Sequence, residues 1–167
     1  MTDQGTRPVR ILTTGGTIDK VYFDARSSFE VGEPIVDTIL REALVEVPWQ
    51  VQVLMHKDSL ELTDEDRIRI REAVVAAEED ALVITHGTDT MSLTADFLQN
   101  AAPAKTIVLT GSLSPARFRN SDAVFNIGAA FTASQAMPPG VYVSMNGRIF
   151  PAGQVRKNTD TNRFESA

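Results

Sequence analysis

Continuous runs of apolar residues, separated by segments with a helical period, constrain the fold of this chain of 167 residues more than any other feature. Four of the five predicted strands do not alternate apolar with polar residues. Such continuity is typical of parallel strands that are buried on both faces of a sheet. The predicted strands are Val9–Thr14, Val51–Met55, Ala81–Thr85, Thr106–Thr110 and Val141–Met145.

Helical signals occupy the segments between these strands. Apolar residues recur with a period near 3.6 in Ile35–Val45, and the stretch from Thr63 to Asp66 is typical of a capping box. The segment Thr17–Gly32 fits neither period and is predicted to be a mobile loop or a hairpin. The predicted helices are Ile35–Val45, Thr63 to about Glu79, Met91–Asn100 and Asp122–Ser134.

Strands that alternate with helices build βαβ units. The sequence therefore predicts one α/β domain over residues 1–167, with a doubly wound, mostly parallel sheet flanked by helices. Ligands of such folds bind beyond the carboxyl ends of the strands. Every unusual loop of this chain follows a predicted strand: TGGTI, HKDSLELT, HGTDTM and GSLSPARFRNSD. We therefore expect one site at that edge of the sheet.

Composition excludes several kinds of site and partner. The chain has no cysteine, and its two histidines, His56 and His86, lack the spacing of an HExxH zinc motif. A formal net charge of −6 without a basic block argues against nucleic acid as a partner. No segment resembles a signal peptide or a membrane span, so we expect a cytoplasmic protein with no membrane contact.

Each loop motif has an ordinary structural explanation when it is taken alone. Gly15 and Gly16 suit a simple turn, because neither GxGxxG nor a GK[ST] ending is present. Asp89 suits the N-cap of the helix that follows it. Lys157 suits a solvated lysine in a polar tail, and Ser59 suits a turn.

The combination is more specific than its parts. The motifs ILTTGGTI, DSLELT, ALVITHGTDTM, VLTGSLSP and VRKNTDT together closely resemble the bacterial-type L-asparaginase/glutaminase family. The pair TGGTI and HGTDTM is highly specific to that family. The resemblance runs from about Val9 to Phe164 and covers the larger, N-terminal half of the usual member. The chain is thus identified as a short, single-domain member without the C-terminal domain.

The resemblance implies hydrolysis of L-asparagine to L-aspartate and ammonia through an acyl-enzyme, with no metal and no organic cofactor. It implies that Thr17 is the nucleophile and that Thr88, Asp89 and Lys157 form the second catalytic group. A neutral lysine can accept the threonine proton, with Thr88 as a relay. The implied substrate-binding residues are Gly16, Asp58, Ser59, Gly87 and Ser112.

Three departures from the family pattern affect the site. The family's loop tyrosine aligns with Phe29, which has no hydroxyl, so Tyr22 is predicted to supply the phenol. Leu60 stands where many members have a polar residue. The C-terminal domain normally contributes an acidic contact to the substrate's amino group across a subunit boundary, so we expect this chain to form a homo-oligomer.

Two alternatives remain beside a small-molecule asparaginase. One is a binding module for an amino acid that has lost turnover, although the retained catalytic residue types argue against it. The other is an amidase that acts on glutamine or on a larger amide. The acidic charge and the lack of an appended RNA-binding segment argue against a tRNA-linked substrate.

Overall fold

A six-stranded sheet forms the centre of the computed structural model, which describes residues 6–167. Its strand order is β4-β1-β5-β6-β7-β8, in which only β8 is antiparallel to its neighbour. These strands are β1 Val9–Gly15, β4 Trp49–Lys57, β5 Ala81–Thr85, β6 Thr106–Thr110, β7 Gly140–Met145 and β8 Arg148–Pro151. The predicted mostly parallel α/β sheet is confirmed.

Helices cover both faces of the sheet, as a doubly wound fold requires. One apolar cluster packs α1 and α4 against one face, and a second cluster packs α2 and α3 against the other. The helices are α1 Val36–Glu42, α2 Asp64–Ala76, α3 Met91–Leu98 and α4 Ala123–Ala136. The capping box of α2 is present, because Thr63 and Asp66 each accept a hydrogen bond from the other's backbone N–H. None of these helices is long and apolar enough to cross a membrane.

Burial within the sheet follows strand position. Every residue of β5 and β6 is buried, as expected for central parallel strands. The expectation of two-sided burial is wrong for β4, because β4 is an edge strand and its Val53 is 47% exposed. An edge strand packs on one neighbour only, so a run of apolar residues does not prove burial on both faces.

Two hairpins lie outside the central sheet. The segment after β1 forms a hairpin of β2 (Lys20–Phe23) and β3 (Ser28–Val31), which is one of the two predicted alternatives. Near the C-terminus, β9 (Val155–Asn158) and β10 (Arg163–Ser166) form a second antiparallel hairpin that the sequence pattern did not predict. Strand β8 was also not predicted.

Candidate active site

The carboxyl ends of four neighbouring strands lie level at one edge of the sheet. Gly15 pairs with Lys57, and Thr85 pairs with both Thr13 and Thr110. The loops that leave these ends therefore begin side by side, at the edge where α/β folds bind ligands. They are the TGGTI turn after β1, residues 58–62 after β4, residues 86–90 after β5 and residues 111–121 after β6.

Glycine allows three of these loops to touch through their backbones. Gly16 has a φ of 89°, and a Cβ atom placed on it would lie 2.5 Å from the Gly87 nitrogen. A Cβ atom on Gly87 would lie 2.6 Å from the Cβ of Ser59. A larger residue at either position would push the loops apart. The structure thus brings together Gly16, Gly87 and Ser59, three of the residues predicted to bind substrate.

Thr17 lies directly at this junction. It opens a short 3-10 turn, and it is partly exposed while Ile18 and Asp19 behind it are buried. The Gly16 N–H donates to the Lys57 carbonyl at 2.9 Å and fixes the start of the turn against the end of β4. Because that N–H is already bonded, Gly16 contributes backbone shape to the site rather than a free hydrogen-bond donor.

Lys157 reaches the loop after β5 from the C-terminal hairpin. Its ammonium group donates to the Thr88 hydroxyl at 2.8 Å and to the Asp89 carboxylate at 2.6 Å. The Lys157 side chain is only 12% exposed, and its strand is anchored by buried Val155 and by Phe164 opposite Lys157. The explanation of Lys157 as a solvated tail lysine is therefore wrong.

A threonine at a strand end, a lysine bonded to a second threonine, and an aspartate beside that lysine now stand on adjoining loops. A sequence model for the family domain described as "Asparaginase, N-terminal" matches residues 8–166. The chain belongs to the asparaginase family.

Curated relatives of this family match the chain over nearly its whole length. The L-asparaginase of Thermococcus kodakarensis is 34% identical over 169 residues, which cover 93% of this chain and 50% of that protein. The probable periplasmic L-asparaginase of Haemophilus influenzae is 31% identical, with 92% of this chain and 47% of that protein covered. The chain thus spans about half the length of the curated relatives it matches.

Solved structures of the family share the fold. The thermostable L-asparaginase from Thermococcus kodakarensis superimposes with a TM-score of 0.82 at 32% identity, covering 95% of this chain and 51% of that one. L-asparaginase I from Vibrio cholerae gives a TM-score of 0.85 at 25% identity and covers 97% and 52%. Within this asparaginase-family fold, the remaining predicted site residues occupy the same sheet edge or the hairpin beside it.

The loop after β4 carries Asp58 and Ser59. Asp58 forms an ion pair with Lys20 at 2.9 Å and accepts the Leu60 N–H at 3.1 Å. Burial raises the pKa of Asp58, but the hydrogen bonds from Lys20 and Leu60 outweigh it, so the pKa lies below its ordinary value. The Ser59 hydroxyl is buried and has no hydrogen-bond partner within residues 6–167. It is therefore free to bond a ligand.

The loop after β5 is held from behind by a chain of hydrogen bonds through His86. Burial lowers the pKa of His86 to about 4, so the ring is neutral near pH 7. Its Nδ1 lies 2.7 Å from the Gly87 carbonyl, which only accepts, so Nδ1 donates there. Its Nε2 then accepts from the Thr94 hydroxyl at 2.8 Å, and Arg67 donates to Thr94 at 3.2 Å. These bonds fix the orientation of the Gly87 peptide.

Ser112 is buried in the loop after β6. Its hydroxyl donates to the Ser114 carbonyl, so in this structure the side chain shapes its own loop. Asp122 holds the same loop by accepting the backbone N–H groups of Leu113 and Ser114. Ser112 thus lies at the predicted edge with its hydrogen already donated within the protein.

Tyr22 lies on the hairpin next to the site. It is 52% exposed, and it pairs across the hairpin with Phe29, the residue that aligns with the family tyrosine. Their ring centroids are 5.3 Å apart, and Phe29 in turn lies 5.8 Å from Phe118. The two candidate positions for the phenol are thus cross-strand neighbours, although only Tyr22 has a hydroxyl.

Sequence reasoning missed Asp19, Lys20 and the positioning role of His86. Asp19 and Lys20 directly follow the TGGTI motif, and this adjacency was the available signal. The partner of Lys20 was not predictable, because Asp58 is distant in sequence. Within the described part of the chain, no cluster of three or more histidine, aspartate or glutamate side chains is arranged to hold a metal ion.

Proposed function

We propose that this protein hydrolyses L-asparagine to L-aspartate and ammonia, with Thr17 as the nucleophile and an acyl-enzyme as the intermediate. The observation that carries the proposal is the position of Lys157. Its ammonium group bonds both Thr88 and Asp89, on a loop whose Gly87 touches the Gly16 that precedes Thr17. A nucleophile and a proton-handling group therefore share one small site.

The first half of the reaction forms the acyl-enzyme. The Thr17 oxygen attacks the side-chain amide carbon, while its proton passes through Thr88 to Lys157, which begins this step neutral. The Asp89 carboxylate, at 2.6 Å, stabilises the ammonium group that forms. The proton then returns to the amide nitrogen, the carbon–nitrogen bond breaks, and ammonia leaves. Water attacks the ester in the second half, which releases aspartate and restores Thr17.

The tetrahedral intermediates need hydrogen-bond donors for their oxyanion. The N–H of Gly16 is not available, because it bonds the Lys57 carbonyl. We assign this role to the backbone N–H groups of Thr17 and Thr88. The His86 hydrogen bonds that fix Gly87 hold the second of these donors in place.

Substrate binding uses the polar groups that the fold leaves accessible or unpaired. We assign the α-carboxylate to the Ser59 hydroxyl, which has no partner in the described structure, and the α-ammonium to Asp89, whose side chain is 42% exposed. Asp58, fixed by Lys20, orders the Ser59 turn. Ser112 lines the amide end, and Tyr22 acts as a hydrogen-bond partner or proton relay for Thr17 when its hairpin closes over substrate.

The proposal is tested by steady-state ammonia release from L-asparagine, L-glutamine and D-asparagine with one preparation of the protein. We expect L-asparagine to be the best of the three substrates. Relatives named glutaminase-asparaginase, such as that of Acinetobacter glutaminasificans at 31% identity, are the reason for the glutamine arm. Binding of L-asparagine in calorimetry without ammonia release would contradict the proposal and identify a binding module instead.

A larger amide is the second candidate. Residues matching 57% of this chain are 34% identical to one subunit of the glutamyl-tRNA(Gln) amidotransferase of Thermoplasma acidophilum. The net charge of −6 opposes binding of tRNA. Ammonia release from glutamyl-tRNA-linked amide, with none from free asparagine, would favour this candidate over ours.

We further propose that the working protein is a cytoplasmic homo-oligomer. One structural neighbour is described as a probable cytoplasmic L-asparaginase from Campylobacter jejuni, with a TM-score of 0.79 at 28% identity. The chain also resembles one relative described as periplasmic, so location must be measured by fractionation.

A further inference from the structure

Asp19 is a buried carboxylate that neither the fold nor the proposed reaction accounts for. It is 2% exposed and lies two residues beyond Thr17, in the same short turn. One carboxylate oxygen accepts the Ile35 N–H at 3.0 Å. The other is buried with no hydrogen-bond partner among residues 6–167. A half-satisfied buried carboxylate costs stability, and such exceptions concentrate at functional sites.

Asp19 closes the base of the hairpin formed by β2 and β3. Its N–H donates to the Gly16 carbonyl at 3.2 Å, and its own carbonyl accepts the Gly32 N–H at 2.8 Å. The hairpin leaves the turn at Lys20 and returns at Gly32. One residue therefore ties together the Thr17 turn, the end of the hairpin and, through Ile35, the start of α1.

Charged groups on three other segments face Asp19. Arg117 in the loop after β6 and His56 on β4 favour its ionised form, whereas Glu33, just beyond the hairpin, opposes it. His56 also lies 3.1 Å from the Gly32 carbonyl, and the Ala116 N–H donates to Ile18 beside Asp19. Burial is nevertheless the larger effect and raises the pKa of Asp19 to about 6. An ionised Asp19 is thus costly, but it attracts two of the elements that surround the hairpin base.

We propose that Asp19 is a positioning residue whose ionised carboxylate fixes the hairpin base against the Thr17 turn, and so places Tyr22 relative to Thr17. The inference rests on the proposed hydrolysis. A merely structural role makes a different prediction. Asparagine has nearly the same shape, can accept the Ile35 N–H and carries no buried charge, so it would serve a structural role at least as well.

The test compares Asp19→Asn and Asp19→Ala with wild type and with Asp24→Asn, a control at an exposed position in the turn of the same hairpin. Ammonia release gives kcat and KM from about pH 5 to pH 8, a range that spans the relevant titration. Hydrogen exchange of residues 20–31 reports how firmly the hairpin is held, independently of activity.

We expect Asp19→Asn to lower kcat by about ten- to a hundredfold, the scale of a small misplacement of reacting groups, with a much smaller change in KM. Wild-type kcat should fall as the pH drops through about 6, and this acid limb should be absent in Asp19→Asn. The hairpin should exchange faster in both Asp19 variants and not in Asp24→Asn.

Wild-type kcat together with unchanged hairpin exchange in Asp19→Asn would overturn the inference. Failure of the proposed function gives a different result, because wild type would then release no ammonia from asparagine. In that case the exchange measurement decides. Unchanged exchange in both Asp19 variants overturns the positioning role, and faster exchange supports it.

Discussion

At the scale of single residues, the site depends on side chains that are buried and bonded in ways a surface residue would not be. Lys157 is the clearest case, because its ammonium group has two partners on the loop after β5. Its neighbour on the same strand, Arg156, is exposed and pairs with Glu165 at 2.6 Å. The two cations are thus a natural pair for comparison.

Lys157→Met should lower kcat for ammonia release by about 10²- to 10⁴-fold, because the proposed proton acceptor is lost. Arg156→Met removes a cation from the same strand and should leave kcat near that of wild type. Stopped-time ammonia assays on both variants measure this difference. Equal turnover in wild type and Lys157→Met would show that the lysine only supports the structure.

The raised pKa of Asp19 makes a prediction about stability. A carboxyl group whose pKa is higher in the folded state than in the unfolded state stabilises the fold at low pH, and that contribution is lost as the pH rises through the folded-state pKa. The relevant interval runs from the ordinary pKa of 3.8 to about 6. Over it, the free energy of unfolding of wild type should fall relative to Asp19→Asn by on the order of 3 kcal/mol.

Urea titrations of wild type and Asp19→Asn at about pH 4 and pH 7 check this prediction. The variant should be the more stable of the two at the higher pH. A difference between the two proteins that does not change with pH would mean that Asp19 has an ordinary pKa in the folded state.

At the scale of elements, the two hairpins carry the residues that complete the sheet-edge site. The hairpin of β2 and β3 presents Tyr22, and the hairpin of β9 and β10 presents Lys157. Both lie beside a rigid sheet edge that supplies the Thr17 and Thr88 turns. Catalytic groups on hairpins and loops held by a buried scaffold are a common arrangement.

Tyr22→Phe should lower kcat by roughly 10²-fold, because the ring still packs on Phe29 but the hydroxyl near Thr17 is lost. Tyr142→Phe is a matched control: its hydroxyl donates to the Pro138 carbonyl at 3.0 Å, so that change should affect stability alone. Ammonia release from both variants is the measurement. Near-normal kcat in Tyr22→Phe would mean that Thr17 is activated from the Lys157 side alone.

The elements differ in how well the sequence predicted them. Strands β5 and β6 were predicted with their observed bounds, since a short apolar run between polar turns leaves little choice. Strands β9 and β10 are short and mostly polar, so no periodicity marks them. One signal was present and unused: Asn146 and Gly147, both with positive φ, are the usual residues of the tight turn that joins β7 to β8.

The site shows the same division. The motif residues Thr17, Ser59, Thr88 and Asp89 follow strand ends, and the parallel register alone places their loops together. The pairing of Lys20 with Asp58 and the packing of Lys157 onto Thr88 depend on contacts between segments far apart in the chain. Such contacts leave no local pattern in the sequence.

At the scale of the whole molecule, part of the surface is unusual for an isolated protein. Helix α4 contains no charged residue, and its outer face exposes Val124 (57%) and Phe125 (63%) beside Ile149 on β8 (43%). A helix that is apolar all round is normally covered.

We therefore predict that the protein self-associates, and that light scattering gives a mass that is a multiple of 18.2 kDa. Phe125→Glu should lower that mass, because a charge on this face opposes its burial. Thr132→Glu, at an exposed polar position of the same helix, shows whether any added charge has that effect. A fully active wild-type monomer would contradict the prediction.

The central claim is that Thr17 attacks the amide, and ammonia release by Thr17→Ala tests it most directly. Thr132→Ala, an exposed threonine on α4 far in sequence from the site loops, is the matched control, and circular dichroism confirms that both variants fold. The account predicts that Thr17→Ala loses turnover by several orders of magnitude, as expected when a covalent nucleophile is removed, while Thr132→Ala keeps wild-type kcat. Wild-type kcat in folded Thr17→Ala, free of any host enzyme, would contradict it.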